Sequence, residues 1–120
     1  MIQQGKYVLR RGRPGDRGAS GYITIPKGLP PEFVLEYNGV QIGAAHGGVC
    51  CIRHIEIFVD HNKGHGTRFI ELWEEYAKSR CETLEVSPVT VDNLAHILEH
   101  KRGFQLKHVD QGGAKTYVKY

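Results

Sequence analysis

A glycine-containing turn between a strand and a helix constrains the fold of this 120-residue chain more than any other feature. Residues 55–59 are β-formers and predict a buried strand. From residue 69 to residue 78, apolar side chains recur at the spacing of an amphipathic helix. Between the two, Gly64 and Gly66 let the backbone approach a ligand closely. They also leave the first N–H groups of the helix exposed at its positive end, which suits the binding of phosphate or pyrophosphate.

The order of the remaining elements predicts an α/β fold with a mixed sheet. Two main helices are expected, at residues 66–78 and 92–102. The predicted strands lie at residues 7–9, 22–25, 33–37, 40–45, within 49–59, and at 83–86, 104–109 and 115–120. Asn38-Gly39 is a strong hairpin signal between two of them, and a C-terminal β-hairpin closes the chain. A helix that crosses over between two neighbouring strands makes those strands parallel.

Composition indicates one globular domain that covers residues 1–120. Hydrophobic residues make up 40% and charged residues 24% of the sequence, which is ordinary for a soluble protein. No apolar run reaches the ~20 residues needed to cross a membrane, and the N-terminus lacks a signal-peptide core, so we expect a cytoplasmic protein without membrane contact. Three cysteines do not make a disulfide framework. We expect Cys50 and Cys51 to alternate across a strand as free thiols.

Two motifs together resemble the GCN5-related N-acetyltransferase family. The sequence HNKGHG at residues 61–66 is similar to the family's cofactor signature, Gln/Arg-x-x-Gly-x-Gly/Ala, with His61 in the first position. Downstream, the strand at 83–86 and the helix at 92–102 end in Gly103-Phe104, which is the family's usual closing pair. The two motifs cover about half of the chain.

Within the second motif, individual residues match the family position by position. Ala95 falls on the family's alanine, and Asp92 falls on its asparagine position with Asn93 one residue later. Glu99 stands where the family commonly has a tyrosine that acts as an acid. The resemblance implies a fold in which two central parallel strands splay apart. The two helices that the family places between its first and second strands are reduced here to a loop.

The activity implied by the resemblance is transfer of an acetyl group from acetyl-coenzyme A to a primary amine by direct attack. Backbone N–H groups of the turn would hold the cofactor pyrophosphate, two basic side chains would add charge, a strand would pair with the pantetheine arm, and an asparagine would contact it. The corresponding residues are Gly64, His65, Gly66 and Thr67 for the turn, Lys63 and Arg68 for the charge, Val59 for the strand, and Asn93.

Acetyl transfer needs a base for the amine and an acid for the leaving thiolate. Glu56 and His54 alternate with isoleucines on the strand before the turn, so both point to one sheet face. They are the candidate bases, and an ordinary polar strand face is the alternative. Glu99 or His100 is the candidate acid, with a solvent-facing helix position as the alternative. His-x-x-Glu-His at residues 96–100 also matches a zinc-protease pattern, but the chain is too small for such an enzyme and we expect no metal.

Two other functional classes remain open. The first is a non-catalytic interaction domain that keeps the fold. The second is a nucleic-acid-binding module, because residues 1–28 carry six Lys and Arg against one acid in a chain of net charge +3; a solvated surface is the commoner meaning of such a run. The acceptor amine is not identified by the sequence. Because the acceptor-site helices are reduced, we expect an open acceptor side that forms a homodimer or receives a protein amine.

Overall fold

The computed structural model describes residues 1–19, 29–59 and 63–120. Its elements, in chain order, are β1 (Ile2–Gln4), β2 (Tyr7–Arg11), β3 (Phe33–Tyr37), β4 (Val40–Gly47), β5 (Cys51–Ile57), α1 (His65–Ala77), β6 (Leu84–Val89), α2 (Asp92–His96), a π-helical turn (Ile97–Lys101), β7 (Gln105–Val109) and β8 (Lys115–Lys119). The strand predicted at residues 22–25 and His61 of the glycine motif lie outside the described residues. Between β2 and β3, the described residues 12–19 and 29–32 contain no helix.

All eight described strands belong to one sheet, in the order β1-β2-β3-β4-β5-β6-β8-β7. Every neighbouring pair is antiparallel except β5 and β6, which are parallel and joined through α1. The prediction of a mixed sheet with two main helices and a C-terminal hairpin is therefore confirmed. Asn38-Gly39 forms the turn between β3 and β4, as predicted.

Helix α1 packs on the sheet through the apolar stripe predicted from its sequence. Its buried side chains are Phe69, Ile70, Leu72, Trp73 and Ala77. The Trp73 indole N–H donates a hydrogen bond to the Val49 carbonyl (2.7 Å), and its ring stacks on Phe104 at a centroid distance of 6.2 Å. Burying side chains of this size contributes about 1.5–3 kcal/mol each. This packing fixes α1 against the β5–β6 region, where its N-terminus meets the candidate site.

The polar side of α1 is tied to the C-terminal part of the chain. Glu74 accepts hydrogen bonds from the Arg102 guanidinium (2.7 Å) and from the Lys119 ammonium group. Lys119 also donates to the Arg102 carbonyl (2.6 Å). Because these groups belong to the helix, the segment after the π-helical turn and β8, they hold three separate elements in one arrangement.

The prediction that Cys50 is a free thiol is wrong, because Cys50 is disulfide-bonded to Cys81 with a Cα–Cα distance of 5.7 Å. The reason is geometric. The seven residues of β5 rise about 23 Å along the strand, and the thirteen residues of α1 return about 20 Å. The chain therefore comes back to its starting end, and the residues just outside β5 and α1 meet. Cys51 remains a thiol and donates to the Glu85 carboxylate (3.3 Å).

Among the described residues, no helix is both long enough and apolar enough to cross a membrane.

Candidate active site between the parallel strands

The two parallel strands separate soon after they meet. They pair at two positions, Cys51 with Glu85 and Ile52 with Val86. Beyond these positions, β5 continues along β4 with a register shift and β6 continues along β8 with another. The divergence opens a cleft of about 720 Å³. Its walls are formed by His54, Ile55, Glu56 and Ile57 of β5, Gly66 of α1, and Val91, Asn93, Leu94 and Ile97 around α2.

The backbone of β5 presents polar groups to this cleft. The Phe58 N–H donates to the Ile42 carbonyl of β4 (2.8 Å). Backbone groups of successive strand residues point to opposite sides, so those of Glu56 also point to β4 and those of Ile55 point toward the cleft. A strand edge of this kind can pair with an extended ligand.

Side chains of β5 divide between the two faces of the sheet. A Cβ placed on Gly43 would lie 2.9 Å from Ile57 Cδ1 and 3.1 Å from Phe69 Cε2, so the Ile57 face is the one that carries α1. Because successive strand side chains alternate, His54 and Glu56 project together from the opposite face. His54 lies opposite His46 of β4 in the ladder. Both candidate bases therefore line the cleft from the face that α1 does not cover.

The N-terminus of α1 opens at the cleft. Gly64 adopts the left-handed conformation (φ 80°, ψ 7°), which favours glycine, and its carbonyl accepts the first helical bond from the Arg68 N–H (3.0 Å). Within the described residues, no side chain caps this end of the helix. A Cβ on Gly66 would lie 3.3 Å from Ile97 Cδ1, so any side chain there narrows the cleft. The first helical N–H groups are thus available to an anionic ligand.

The Arg68 side chain, which was predicted to add charge near the cofactor, points away from the cleft, and so does the side chain of His65. The His65 Nδ1 atom lies 2.7 Å from the Tyr7 hydroxyl on β2. The Arg68 guanidinium bonds to Glu71 (3.0 Å) and to the Gln4 side chain, and it lies over the Tyr7 ring. Burial raises the pKa of Tyr7 above its ordinary value. The backbone N–H of His65 belongs to the first turn of the helix and has no partner within it, whereas the Arg68 N–H is already bonded to the Gly64 carbonyl.

Of the other predicted contact residues, Asn93 lines the cleft and Lys63, Val59 and Thr67 do not. Asn93 lines it from the first turn of α2. Lys63 and Val59 are exposed on either side of the segment that precedes α1, and Thr67 is half-buried in the first turn of the helix.

Glu99, the predicted thiolate acid, is not among the cleft-lining residues of the described chain. It lies in the π-helical turn, whose Arg102 N–H bonds to the Ile97 carbonyl five residues back (2.9 Å). Burial, followed by the nearby Glu99 carboxylate, raises the pKa of Tyr117. The structure therefore brings His54, Glu56, Gly66 and Asn93 together and places Glu99 beside the core of β8.

Within the described ranges, no three His, Cys, Asp or Glu side chains are grouped so that they could hold a metal ion. The His96 and His100 rings of the zinc-protease pattern lie 4.9 Å apart at their centroids.

His46, which is not among the residues predicted from the sequence, lies on the sheet face opposite α1. His46 is 3% exposed, and its Nε2 atom accepts a hydrogen bond from the Ala19 N–H (2.9 Å). Burial, followed by the influence of His54, lowers the pKa of His46, so the ring is held neutral. Its position opposite His54 follows from the β4–β5 register, which a list of candidate residues on β5 alone does not include.

The segment before Ala19 lies across the same face. The Arg17 N–H donates to the Gln41 side-chain oxygen (3.1 Å), and the Gln41 amide nitrogen donates back to the Arg17 carbonyl (2.7 Å). The Arg17 guanidinium lies 4.0 Å from the centroid of the Phe58 ring. In the sequence, Arg17 is one of the six basic residues of positions 1–28, and no local pattern there indicates this contact.

Other basic residues near the N-terminus are paired with acids. Arg10 forms two hydrogen bonds to Asp16 (both 2.8 Å) and one to Glu36 (2.8 Å). Hydrogen bonding to Arg10 lowers the pKa of Asp16 to about 2. Arg11 pairs with Glu32. These ion pairs neutralise part of the basic run that the sequence shows.

Comparison of the chain with protein-family models, curated proteins and solved structures found no match.

Proposed function

We propose that the chain is an N-acetyltransferase that transfers the acetyl group of acetyl-coenzyme A to a primary amine by direct attack. The observation that carries the proposal is the cleft between β5 and β6. It combines a strand edge, a helix N-terminus that no described side chain caps, and two candidate bases within one cavity. The strand order, with one parallel pair that opens, is also the arrangement implied by the family resemblance.

The cleft suits the parts of acetyl-coenzyme A in sequence. The backbone N–H groups of the turn from Gly64 to Thr67 would hold the pyrophosphate at the positive end of α1. The extended pantetheine arm would pair with the β5 backbone at Ile55, and Asn93 would contact it from α2. Gly66 supports this fit because its missing side chain keeps the space beside Ile97 open. Lys63 would add a positive charge near the phosphates.

Chemistry at the cleft needs little beyond positioning and one proton acceptor, because a thioester is already activated. Glu56 would take a proton from the acceptor ammonium, directly or through water, with His54 as the alternative base. The amine nitrogen would then bond to the carbonyl carbon, the C–S bond would break, and the nitrogen would release one further proton to solvent. The leaving thiolate takes up a proton from solvent or from a nearby group.

Calorimetric titration of acetyl-coenzyme A into the wild-type protein and two glycine variants tests the cofactor assignment. Gly66→Val places a branched side chain against Ile97 and should abolish binding. Gly48→Val is the matched control, because a Cβ at Gly48 meets no atom within 4 Å and its backbone is not in the left-handed region. Wild-type affinity in a folded Gly66→Val protein would remove the assignment.

A non-catalytic interaction domain that keeps the fold is the second candidate. The position of Glu99 away from the cleft favours it, because no described side chain then occupies the role of the family's tyrosine. Binding in the calorimeter without turnover of any amine would support this candidate. The nucleic-acid alternative is weakened by the pairing of Arg10 and Arg11 with acids.

A further inference from the structure

We infer that Arg17 selects acceptor amines that carry a carboxylate or phosphate group. The inference rests on the proposed function and names the class of acceptor for the same site. It starts from the placement of one guanidinium group on the face of β5 opposite α1.

Arg17 is held in place by three contacts with two side chains. Its backbone N–H and carbonyl both bond to the Gln41 side chain, and its guanidinium lies 4.0 Å from the Phe58 ring centroid. Phe58 continues the β5 ladder through its bond to Ile42, so it shares a face with Glu56, two residues earlier. Residues two apart on a strand are about 6.6 Å apart. The cation therefore lies on the ring of the residue two positions after the proposed base, on the same face of the strand.

The chemistry of a stacked guanidinium suits an anion. When its flat face rests on an aromatic ring, its N–H donors point outward in the plane and match the two oxygens of a carboxylate or phosphate. Among the described residues, Arg17 forms no ion pair, whereas Arg10 and Arg11 do. A simple ammonium ion would be repelled by this unpaired charge. An acceptor that also carries an anionic group would be attracted and oriented by it.

The proposed cofactor phosphates belong to a different part of the site. They lie at the N-terminus of α1, which packs on the Ile57 face of β5. Arg17 lies on the Phe58 face. The anion at Arg17 is therefore assigned to the acceptor and not to the cofactor.

The test compares β-alanine with β-alaninamide, and 2-aminoethyl phosphate with ethanolamine, as acceptors for the full chain. For each pair, the ratio of kcat/KM for the anionic amine to that for the neutral amine is measured in the wild type, Arg17→Gln and Arg13→Gln. Arg13→Gln is the matched control because Arg13 is also exposed and the substitution removes the same single positive charge. We expect at least one anionic amine to be preferred, and the ratio to fall about tenfold or more in Arg17→Gln alone. Because the two amines of a pair differ in basicity by the same amount in every experiment, this difference cancels when the ratio is compared between the wild type and a variant.

A binding measurement decides the question independently of turnover. The Arg17 Nε–Hε resonance is followed by NMR while each amine is added to the protein in the presence of coenzyme A. A saturable shift with an anionic amine and not with its neutral partner supports the inference. No shift with either anionic amine, an unchanged kcat/KM ratio in Arg17→Gln, or a shift produced by coenzyme A itself overturns it. If the wild type does not bind acetyl-coenzyme A in the calorimeter, that separate result overturns the proposed function.

Discussion

The alternation of side chains along β5 decides which residues can take part in chemistry. Ile57 faces α1 and joins the core, while His54 and Glu56 face the side that carries Arg17 and the Ala19 backbone. A one-residue change of register would exchange these roles, because the side-chain period of a strand is two. The ladder with β4 therefore positions the candidate bases as much as their own sequence does.

Glu56→Gln should lower turnover about a hundredfold or more if Glu56 is the base, because the amide keeps the shape of the carboxylate but does not accept a proton at neutral pH. The rate is measured under saturating acetyl-coenzyme A across a range of pH. Glu82→Gln is the control, since Glu82 is exposed on the connection between α1 and β6. Wild-type turnover in Glu56→Gln at every pH would transfer the role to His54 or to solvent.

His46 should make the fold less stable in mild acid. Its pKa in the folded state lies below the ordinary value of 6.5, so the unfolded chain binds more protons between those two values. The contribution of His46 is therefore complete above about pH 6.5 and is lost as the pH falls toward the lowered pKa, with a slope of at most about 1.4 kcal/mol per pH unit.

Denaturant unfolding of the wild type and His46→Gln at a series of pH values measures this contribution. Glutamine keeps an oxygen that can accept from the Ala19 N–H but does not titrate. We expect the difference in unfolding free energy between the two proteins to change below pH 6.5 and to be constant above it. A difference that stays constant from pH 7.5 to pH 5 would contradict the prediction.

At the level of elements, a disulfide links β5 to α1 at the end of both elements that is remote from the cleft. The Cys50–Cys81 bond joins the start of the strand to the end of the helix. The cleft lies at the other end of the unit, where the chain turns into α1 at Gly64. The disulfide thus limits how far the helix can move relative to the strand that forms the cleft wall.

Cys81→Ser should lower the free energy of unfolding by roughly 3 to 4 kcal/mol, the value expected from chain entropy for a bond between residues 31 apart in sequence. Urea unfolding of the oxidised proteins gives the difference directly. Cys51→Ser controls for loss of a thiol outside the disulfide. Adding a reductant should bring the wild type close to Cys81→Ser. Equal free energies of unfolding for the wild type and Cys81→Ser without reductant would show that the bond does not constrain the unfolded chain.

The disulfide also bears on where the protein resides. Such bonds are uncommon in a reducing cytosol, so the cytoplasmic location expected from the sequence stays a prediction.

For the molecule as a whole, the sequence was informative wherever a short-range pattern specifies an element. Helix α1 has a strong apolar period, and Asn38-Gly39 specifies its hairpin. By contrast, β1 (Ile2–Gln4) contains one apolar residue and offers no period to detect. The π-helical turn depends on a backbone bond that leaves no spacing signal. Residue spacing within a segment specifies a helix, strand or turn, but it does not specify which distant segment that element packs against.

The candidate site shows the same division. The glycine turn and the shared face of His54 and Glu56 follow from local spacing. The contacts of Arg17 and His46 depend on where residues 16–19 cross the sheet, which involves pairs more than twenty residues apart. The Arg68 side chain points toward Gln4 of β1, a strand that the sequence does not predict. Long-range packing, and not residue type, decides these positions.

The edge of the sheet at β7 offers a surface for a homodimer that differs from the acceptor side on which the sequence analysis places it. All five residues of β7 are exposed, and β7 is the last strand in the sheet order. Leu106 and Val109, 44% and 47% exposed, pair with Tyr117 and Lys115 of β8. Because Tyr117 and Lys115 are two residues apart, these two apolar side chains share one face. An open strand edge with apolar side chains favours pairing with another chain.

We therefore expect a dimer in which two β7 edges meet around a two-fold axis. Leu106→Lys should raise the dimer dissociation constant about tenfold or more, because each copy loses the burial of an apolar side chain, worth about 1.5–3 kcal/mol, and gains a like charge. Light scattering at micromolar concentration measures the mass. Val40→Lys, at an exposed position at the start of β4, is the control and should leave the mass unchanged. A wild-type monomer throughout this range would contradict the dimer, and a Leu106→Lys protein that dimerises as tightly as the wild type would remove β7 from the interface.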